Sequence, residues 1–328
     1  MLFHPSKNPV ELKVLNLNDI QEQRREDLLE ATQGRAALKQ FKKSMAKKAK
    51  QTLKLKAKSK KKDKDNKDNK DAQVFVLDFD GDMKASAVQH LREEISTLIS
   101  TANKGDEVII RLESPGGVVH GYGLAAAQLV RLKDAGLTLT ICVDKVAASG
   151  GYMMACVADK IIAAPFAVIG SIGVVSQLPN FHKWLKNHDV DYELFTAGDY
   201  KRTVTVFGEN DAADRAKYQE ELEQTHELFK HFVSTYRPVL DVAKIATGEH
   251  WYGEDALKLN LIDSLQTSDS YILERMDKQQ VYALHSRQKP SFAEKLGFAA
   301  AAEATLNLAI DKLPDALMRF DFNSRHKL

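Results

Sequence analysis

The stretch Glu107–Val143, EVIIRLESPGGVVHGYGLAAAQLVRLKDAGLTLTICV, decides the fold class. Val108-Ile109-Ile110 is a short β-branched run without polar alternation, as expected of a strand buried on both faces. Ser114-Pro115-Gly116-Gly117 is a turn. Residues 121–134 then carry apolar side chains at helical spacing, and Leu137–Val143 is a second apolar strand. A strand, a helix and a strand in that order imply parallel strands joined by a right-handed crossover.

The pattern extends in both directions. Val74–Leu77 predicts a strand, and residues 85–102 predict a helix built on Val88, Leu91, Ile95, Leu98 and Ile99. Downstream come a small-residue helix over Ala147–Ala158, a strand over Lys160–Ala164 and a strand-like run at Tyr192–Phe195. A long amphipathic helix over 211–235 stops short of Pro238, and Gly248–Asp263 closes the αβ region. Residues 291–312 predict one more, Ala-rich helix. Near the start, Asn18 is the expected N-cap of a charged helix reaching about Lys39, too polar to enter a core. The expected organisation is a charged N-terminal region over 1–72, an α/β core over 73–265 and a helical extension over 266–328.

Composition narrows the function. The chain has 328 residues, enough to build a sizeable core, and 44% of them are hydrophobic, the level of an ordinary globular protein. Its two cysteines, Cys142 and Cys156, rule out a disulfide scaffold and a zinc ribbon, and their apolar surroundings predict buried thiols. No run of 18 apolar residues marks a membrane span. The charge is divided: residues 42–70 hold 14 Lys and three Asp, a net +11 against +2 for the whole chain, so the remainder carries −9. Such a block is expected to be disordered or a fraying helix. It would be either a solvated spacer or a surface attracted to anionic lipid. The block has no aromatic residue after Phe41, so base stacking and nucleic-acid binding are not expected.

The residues that can carry chemistry lie at strand ends. In Val146-Ala147-Ala148-Ser149-Gly150-Gly151-Tyr152, a hydroxyl sits where a strand gives way to a helix, among residues small enough for a substrate backbone to approach. The Gly150 N–H beside it could serve a developing oxyanion. The competing reading is an ordinary N-cap serine. Ser114-Pro115-Gly116-Gly117 ends another strand of the same sheet, and its glycines free further N–H groups. For a base, there is no G-x-S-x-G elbow, because position 147 is Ala. His90 lies on a charged helix face, whereas His120 and Lys201 remain candidates. A lysine acts as a base only when burial holds it neutral, and most loop lysines are solvated.

Taken together, five blocks over residues 73–263 resemble the signal peptide peptidase A family of serine–lysine proteases, in its SohB-type branch. They are Ser114–Gly117, Ala147–Tyr152, Gly170-Ser-Ile-Gly173, Gly198-Asp-Tyr-Lys201 and Gly248-Glu-His-Trp-Tyr-Gly253. The resemblance implies a Clp protease/crotonase-like α/β fold, a parallel ββα superhelix. It implies Ser149 as nucleophile, Lys201 as general base, Gly117 and Gly150 as oxyanion donors, Gly116 shaping the turn and Ser171 orienting the lysine. It implies endopeptidase activity on extended peptides with no cofactor or metal. It further implies a homo-oligomeric ring with sites shared between protomers, and association with a bacterial inner membrane. The chain departs from the family at Asn260, where many relatives have Gly, and in showing no membrane anchor. Asn is the next best residue for a left-handed helix end.

Three rival readings share some of these residues. Gly121-Tyr-Gly123-Leu-Ala-Ala126, followed by Asp144, imitates a dinucleotide fingerprint, but Ser114–His120 separate its glycines from the strand. Those glycines are instead expected to let the helix pack closely on the sheet. A peptide-binding scaffold without catalysis would have no need of both Ser149 and Lys201. An acyl-CoA enzyme would use the same oxyanion logic without a paired lysine.

Overall fold

The computed structural model describes residues 10–60, 72–198 and 200–288. The expected helix at 291–312 lies outside them. Residues 14–285 form one compact unit, and the described residues on either side of that range belong to a second.

The elements, in chain order, are β1 (Val10–Asn16), α1 (Leu17–Lys60), β2 (Val74–Asp80), α2 (Val88–Thr101), β3 (Glu107–Glu113), α3 (Val119–Asp134), β4 (Thr138–Val143) and β5 (Val146–Ala148). There follow α4 (Gly150–Ala155), β6 (Lys160–Ala163), β7 (Val168–Gly170), α5 (His182–Lys186), α6 (Ala212–Tyr236), α7 (Val242–Ile245) and β8 (His250–Tyr252). The last are α8 (Gly253–Lys258), β9 (Ser264–Leu265), α9 (Ser268–Met276) and β10 (Val281–Gln288).

The protein is a mixed α/β structure around a mostly parallel sheet in the order β1-β10-β2-β3-β4-β6-β9. The pairings β10–β2, β2–β3, β3–β4, β4–β6 and β6–β9 are all parallel, with Val76 opposite Ile109 and Ile109 opposite Thr140. Both faces are covered, which is why these strands read as unbroken apolar runs. One face carries Val74, Val76, Ile109, Cys142 and Ile162 against Tyr271 and Ile272 of α9. α2 buries Val88, Leu91, Ile95 and Leu98, and α3 buries Ala125, Leu129 and Leu132. Each fully buried Leu or Ile side chain among these stabilises the fold by about 1.5–3 kcal/mol. Both cysteines are buried, as expected.

A second, small sheet, β5-β7-β8, begins where β3 ends. Ser114 bridges to Ala147 through Ser114 N–H to the Val146 carbonyl (2.8 Å) and Ala148 N–H to the Ser114 carbonyl (3.0 Å). β5 runs parallel to β7, which pairs antiparallel with β8. The expected helix over Ala147–Ala158 is therefore a strand followed by a shorter helix. Pairing with Ser114 and β7 outweighs the helix preference of alanine. The run Tyr192–Phe195 forms no strand and is exposed.

At the start of the chain, α1 is interrupted at Gly34 (φ 76°, ψ 172°). The two arms touch: Arg25 lies 4.8 Å from the Phe41 ring and Lys42 pairs with Glu26 at 2.9 Å. Helix continues to Lys60, into the lysine block, which is at least partly helical. Asn18 is not the cap. Asn16 Oδ1 accepts from the Asn18 and Asp19 amides, while Asn18 donates to the Met276 and Gln279 carbonyls.

Candidate active site

Ser149 follows β5 and precedes α4 with φ 52° and ψ −118°, a region that side-chain-bearing residues rarely occupy. Its N–H donates to the Gly170 carbonyl (2.8 Å), and its own carbonyl accepts from Met153 N–H (2.9 Å). The side chain is half-buried and caps no amide of α4. Nor does its Oγ have any other hydrogen-bond partner among the described residues. The N-cap reading of this serine is thereby set aside.

The glycine turn after β3 packs on this residue. Gly116 has φ 90°, and a Cβ there would come within 2.7 Å of the Ser149 Cβ and 2.8 Å of the Gly150 nitrogen. No other residue fits. Its amide donates to Ser114 Oγ (3.1 Å), and the Val118 amide donates to the Met83 carbonyl (2.9 Å). Pro115 has no N–H, so among the described residues Gly117 holds the one amide of the turn without an acceptor. The Gly150 amide also has no acceptor among the described residues. Two free N–H groups thus belong to loops that meet at Ser149.

Ser171 follows Gly170, the residue that accepts the Ser149 N–H. It is half-buried, has φ 52° and donates its N–H to the Glu249 carbonyl (2.6 Å). Lys201 stands apart. It is exposed in an irregular segment, its amide donates to the Gly198 carbonyl (3.2 Å), and no ion pair or hydrogen bond joins its Nζ to Ser149 or Ser171. His120 is exposed at the start of α3. The structure therefore gathers Ser149, Gly116, Gly150 and Ser171, with Gly117 next in the turn, and leaves Lys201 outside the cluster.

Sequence reasoning gave no role of their own to two side chains here. Ser114 and Tyr122 are both fully buried, and their hydroxyls meet at 2.5 Å beneath the glycine turn. Burial raises the Tyr122 pKa, so its phenol stays protonated and can donate. The eight-residue interval between them, from a strand end to a helix face, is a signal that appears only once the helix phase is known.

The dinucleotide reading is not supported by the geometry. Gly121 and Gly123 lie inside α3, and the Asp144 carboxylate is engaged by Ser268 through its amide (2.8 Å) and hydroxyl (2.5 Å). The expectation that these glycines admit close helix–sheet packing is corrected as well. A Cβ at Gly121 would meet the Lys84 carbonyl, and one at Gly123 would meet nothing within 4 Å. Among the described residues, no group of three or more His, Cys, Asp or Glu stands ready to hold a metal.

Two family models match this chain: Peptidase family S49 N-terminal over residues 3–129, and Peptidase family S49 over residues 131–282. A protein named Probable protease SohB from Haemophilus influenzae is 59% identical over 239 residues, covering 73% of this chain and 67% of that protein. The chain belongs to peptidase family S49. Another relative, Probable protease SohB of Buchnera aphidicola subsp. Schlechtendalia chinensis, is 50% identical over 272 residues, 83% of this chain and 89% of its own. Protease 4 of Haemophilus influenzae is 30% identical over 165 residues, 50% of this chain and 27% of that protein. These similarities make it a SohB-type S49 peptidase. Among the described residues, no helix is long and apolar enough to cross a membrane.

Proposed function

We propose that this S49 peptidase is a serine endopeptidase in which Ser149 attacks the scissile carbonyl and Lys201 is the general base. The observation that carries the reading is the uncapped Ser149 side chain, held at φ 52° where two loops with unpaired amides meet. Lys201 takes the hydroxyl proton as Oγ adds to the carbonyl carbon. The oxyanion is held by Gly117 and Gly150 N–H, and each such donor is worth roughly 10²–10³ in rate. The intermediate collapses to an acyl-enzyme as the leaving amine takes the proton. Lys201 then activates the water that releases the acid. Ser171, following the Gly170 carbonyl that holds Ser149, orients the lysine.

No hydrogen bond joins Lys201 to Ser149 within the protomer, which favours a site completed by a neighbouring copy in a homo-oligomeric ring. Exposed apolar side chains in the same irregular region, Phe195 at 87% and Val175 at 82% exposure, suit burial against such a copy. The succession β4–β5–α4, with the short strand β5 in a separate small sheet, supports the Clp/crotonase-like superhelix. Small residues around Ser149 suit extended, largely apolar peptides, such as signal-peptide remnants or damaged membrane proteins. The lysine block suits a place at the bacterial inner membrane.

The test is hydrolysis of casein or a fluorogenic peptide by wild type and Ser149→Ala, alongside a native mass measurement. The variant should fold and assemble as wild type does and show no hydrolysis. Turnover retained by Ser149→Ala would remove this residue from the mechanism. Binding without turnover by the wild type would favour the non-catalytic scaffold.

A further inference from the structure

We propose that Ser114 and Tyr122 are positioning residues of the oxyanion site, a buried hydroxyl pair that fixes the two amide-bearing loops against one another. The proposal rests on the reading of Ser149 as nucleophile and goes beyond it. Both side chains are fully buried, so they act through the loops rather than on substrate.

The direction of every hydrogen bond in the pair is determined. Tyr122 Oη lies 2.8 Å from the Asp82 carbonyl, which can only accept, so the phenol donates there. Ser114 must then donate to Tyr122 Oη across their 2.5 Å contact. That leaves Ser114 Oγ to accept from the Gly116 amide at 3.1 Å. The chain thus runs Gly116 N–H to Ser114, Ser114 to Tyr122 and Tyr122 to the Asp82 carbonyl, with each proton assigned.

Its consequence falls on the oxyanion donors. Ser114 occupies the Gly116 amide and pins the turn, so that Gly117 is left as its free donor. The Tyr122 ring reaches the other loop: a Cβ at Gly150 would lie 2.7 Å from the Tyr122 Cβ and overlap the ring. A Cβ at Gly151 would lie 2.6 Å from the Ser114 carbonyl, and one at Gly81 would lie 2.5 Å from both hydroxyl oxygens. Three glycines, at 81, 150 and 151, make room for this pair. Both side chains are wholly buried, so no water replaces a lost partner cheaply.

Displacement of an oxyanion donor by a fraction of an ångström weakens transition-state binding while leaving ground-state binding intact. The experiment is a double-mutant cycle with Tyr122→Phe and Ser114→Ala, measured as kcat and KM per active site titrated with a serine-directed acylating inhibitor. Titration excludes unfolded molecules, and Tyr122→Phe keeps the ring that backs Gly150. Each single variant should lose about 10- to 100-fold in kcat with KM within about threefold. The double variant should lose little more than the worse single, because both break one chain of bonds. Affinity for a peptide aldehyde, which forms a tetrahedral adduct on Ser149, should fall in parallel with kcat. A merely structural role would lower the melting temperature without that parallel. Singles with kcat within twofold of wild type, or losses that multiply in the double variant, would overturn the proposal. Ser149→Ala, run beside them, separates the outcomes: if it is inactive while these variants are normal, only the pairing fails, and if it is active, the nucleophile reading fails first.

Discussion

Ser149 is held where a Cβ is unwelcome. Its φ of 52° with ψ of −118° stores about 1–3 kcal/mol of backbone strain, sustained by the bonds to Gly170 and Met153. Alanine at 149 keeps that strain, whereas glycine relieves it at the cost of a looser unfolded chain. Ser149→Gly should therefore be more stable than Ser149→Ala by about 1 kcal/mol, measured as the difference in urea midpoints at equal slopes. Equal or reversed midpoints would mean that the backbone here is unstrained. Part of this was legible beforehand. A hydroxyl among Ala and Gly at a strand-to-helix junction advertises itself, and so does Pro-Gly-Gly. Positive φ at Ser149 and Ser171 does not, because it is imposed by pairing with distant segments rather than by local residue type. Asn260 is the exception: Asn tolerates the left-handed region locally, and it is found there with φ 60°.

At the scale of elements, the parallel strands were readable because burial on both faces leaves an apolar run that no loop would carry. The short strand β5 was not, since three residues rich in alanine favour a helix until Ser114 and β7 offer them partners. Among the features not foreseen is a polar cluster at the start of β3. Glu107 is buried, accepts from Thr140 (2.7 Å) and Tyr271 (2.7 Å), and pairs with Arg275 at 2.7 Å. It ties β3, β4 and α9 together, and burial lifts the Tyr271 phenol to about 12. Removing one member of such a cluster leaves the others desolvated and unpaired. Arg275 is 29% exposed, so water recovers part of the loss. Glu107→Ala should destabilise by about 2–3 kcal/mol in urea titration, below the full figure for a buried pair. Glu107→Gln, which still accepts from both hydroxyls, should cost less than half as much. Near-wild-type stability of the alanine variant would show that the cluster contributes specificity rather than stability.

For the molecule as a whole, the separation of Lys201 from Ser149 makes assembly a chemical question. If each site takes its alcohol from one protomer and its amine from the next, a protomer lacking either group can still contribute the other. Ser149→Ala and Lys201→Arg should each be inactive alone, the second because a guanidinium does not give up its proton at working pH. Mixed in equal amounts and allowed to exchange subunits, they should regain about a quarter of wild-type turnover, since one site in four pairs an intact serine with an intact lysine when closed rings assemble at random. Mass spectra of the mixture verify that exchange has occurred. A mixture that has exchanged yet stays inactive would place both groups in one protomer, and would require the exposed segment around Lys201 to fold onto its own Ser149 when substrate binds.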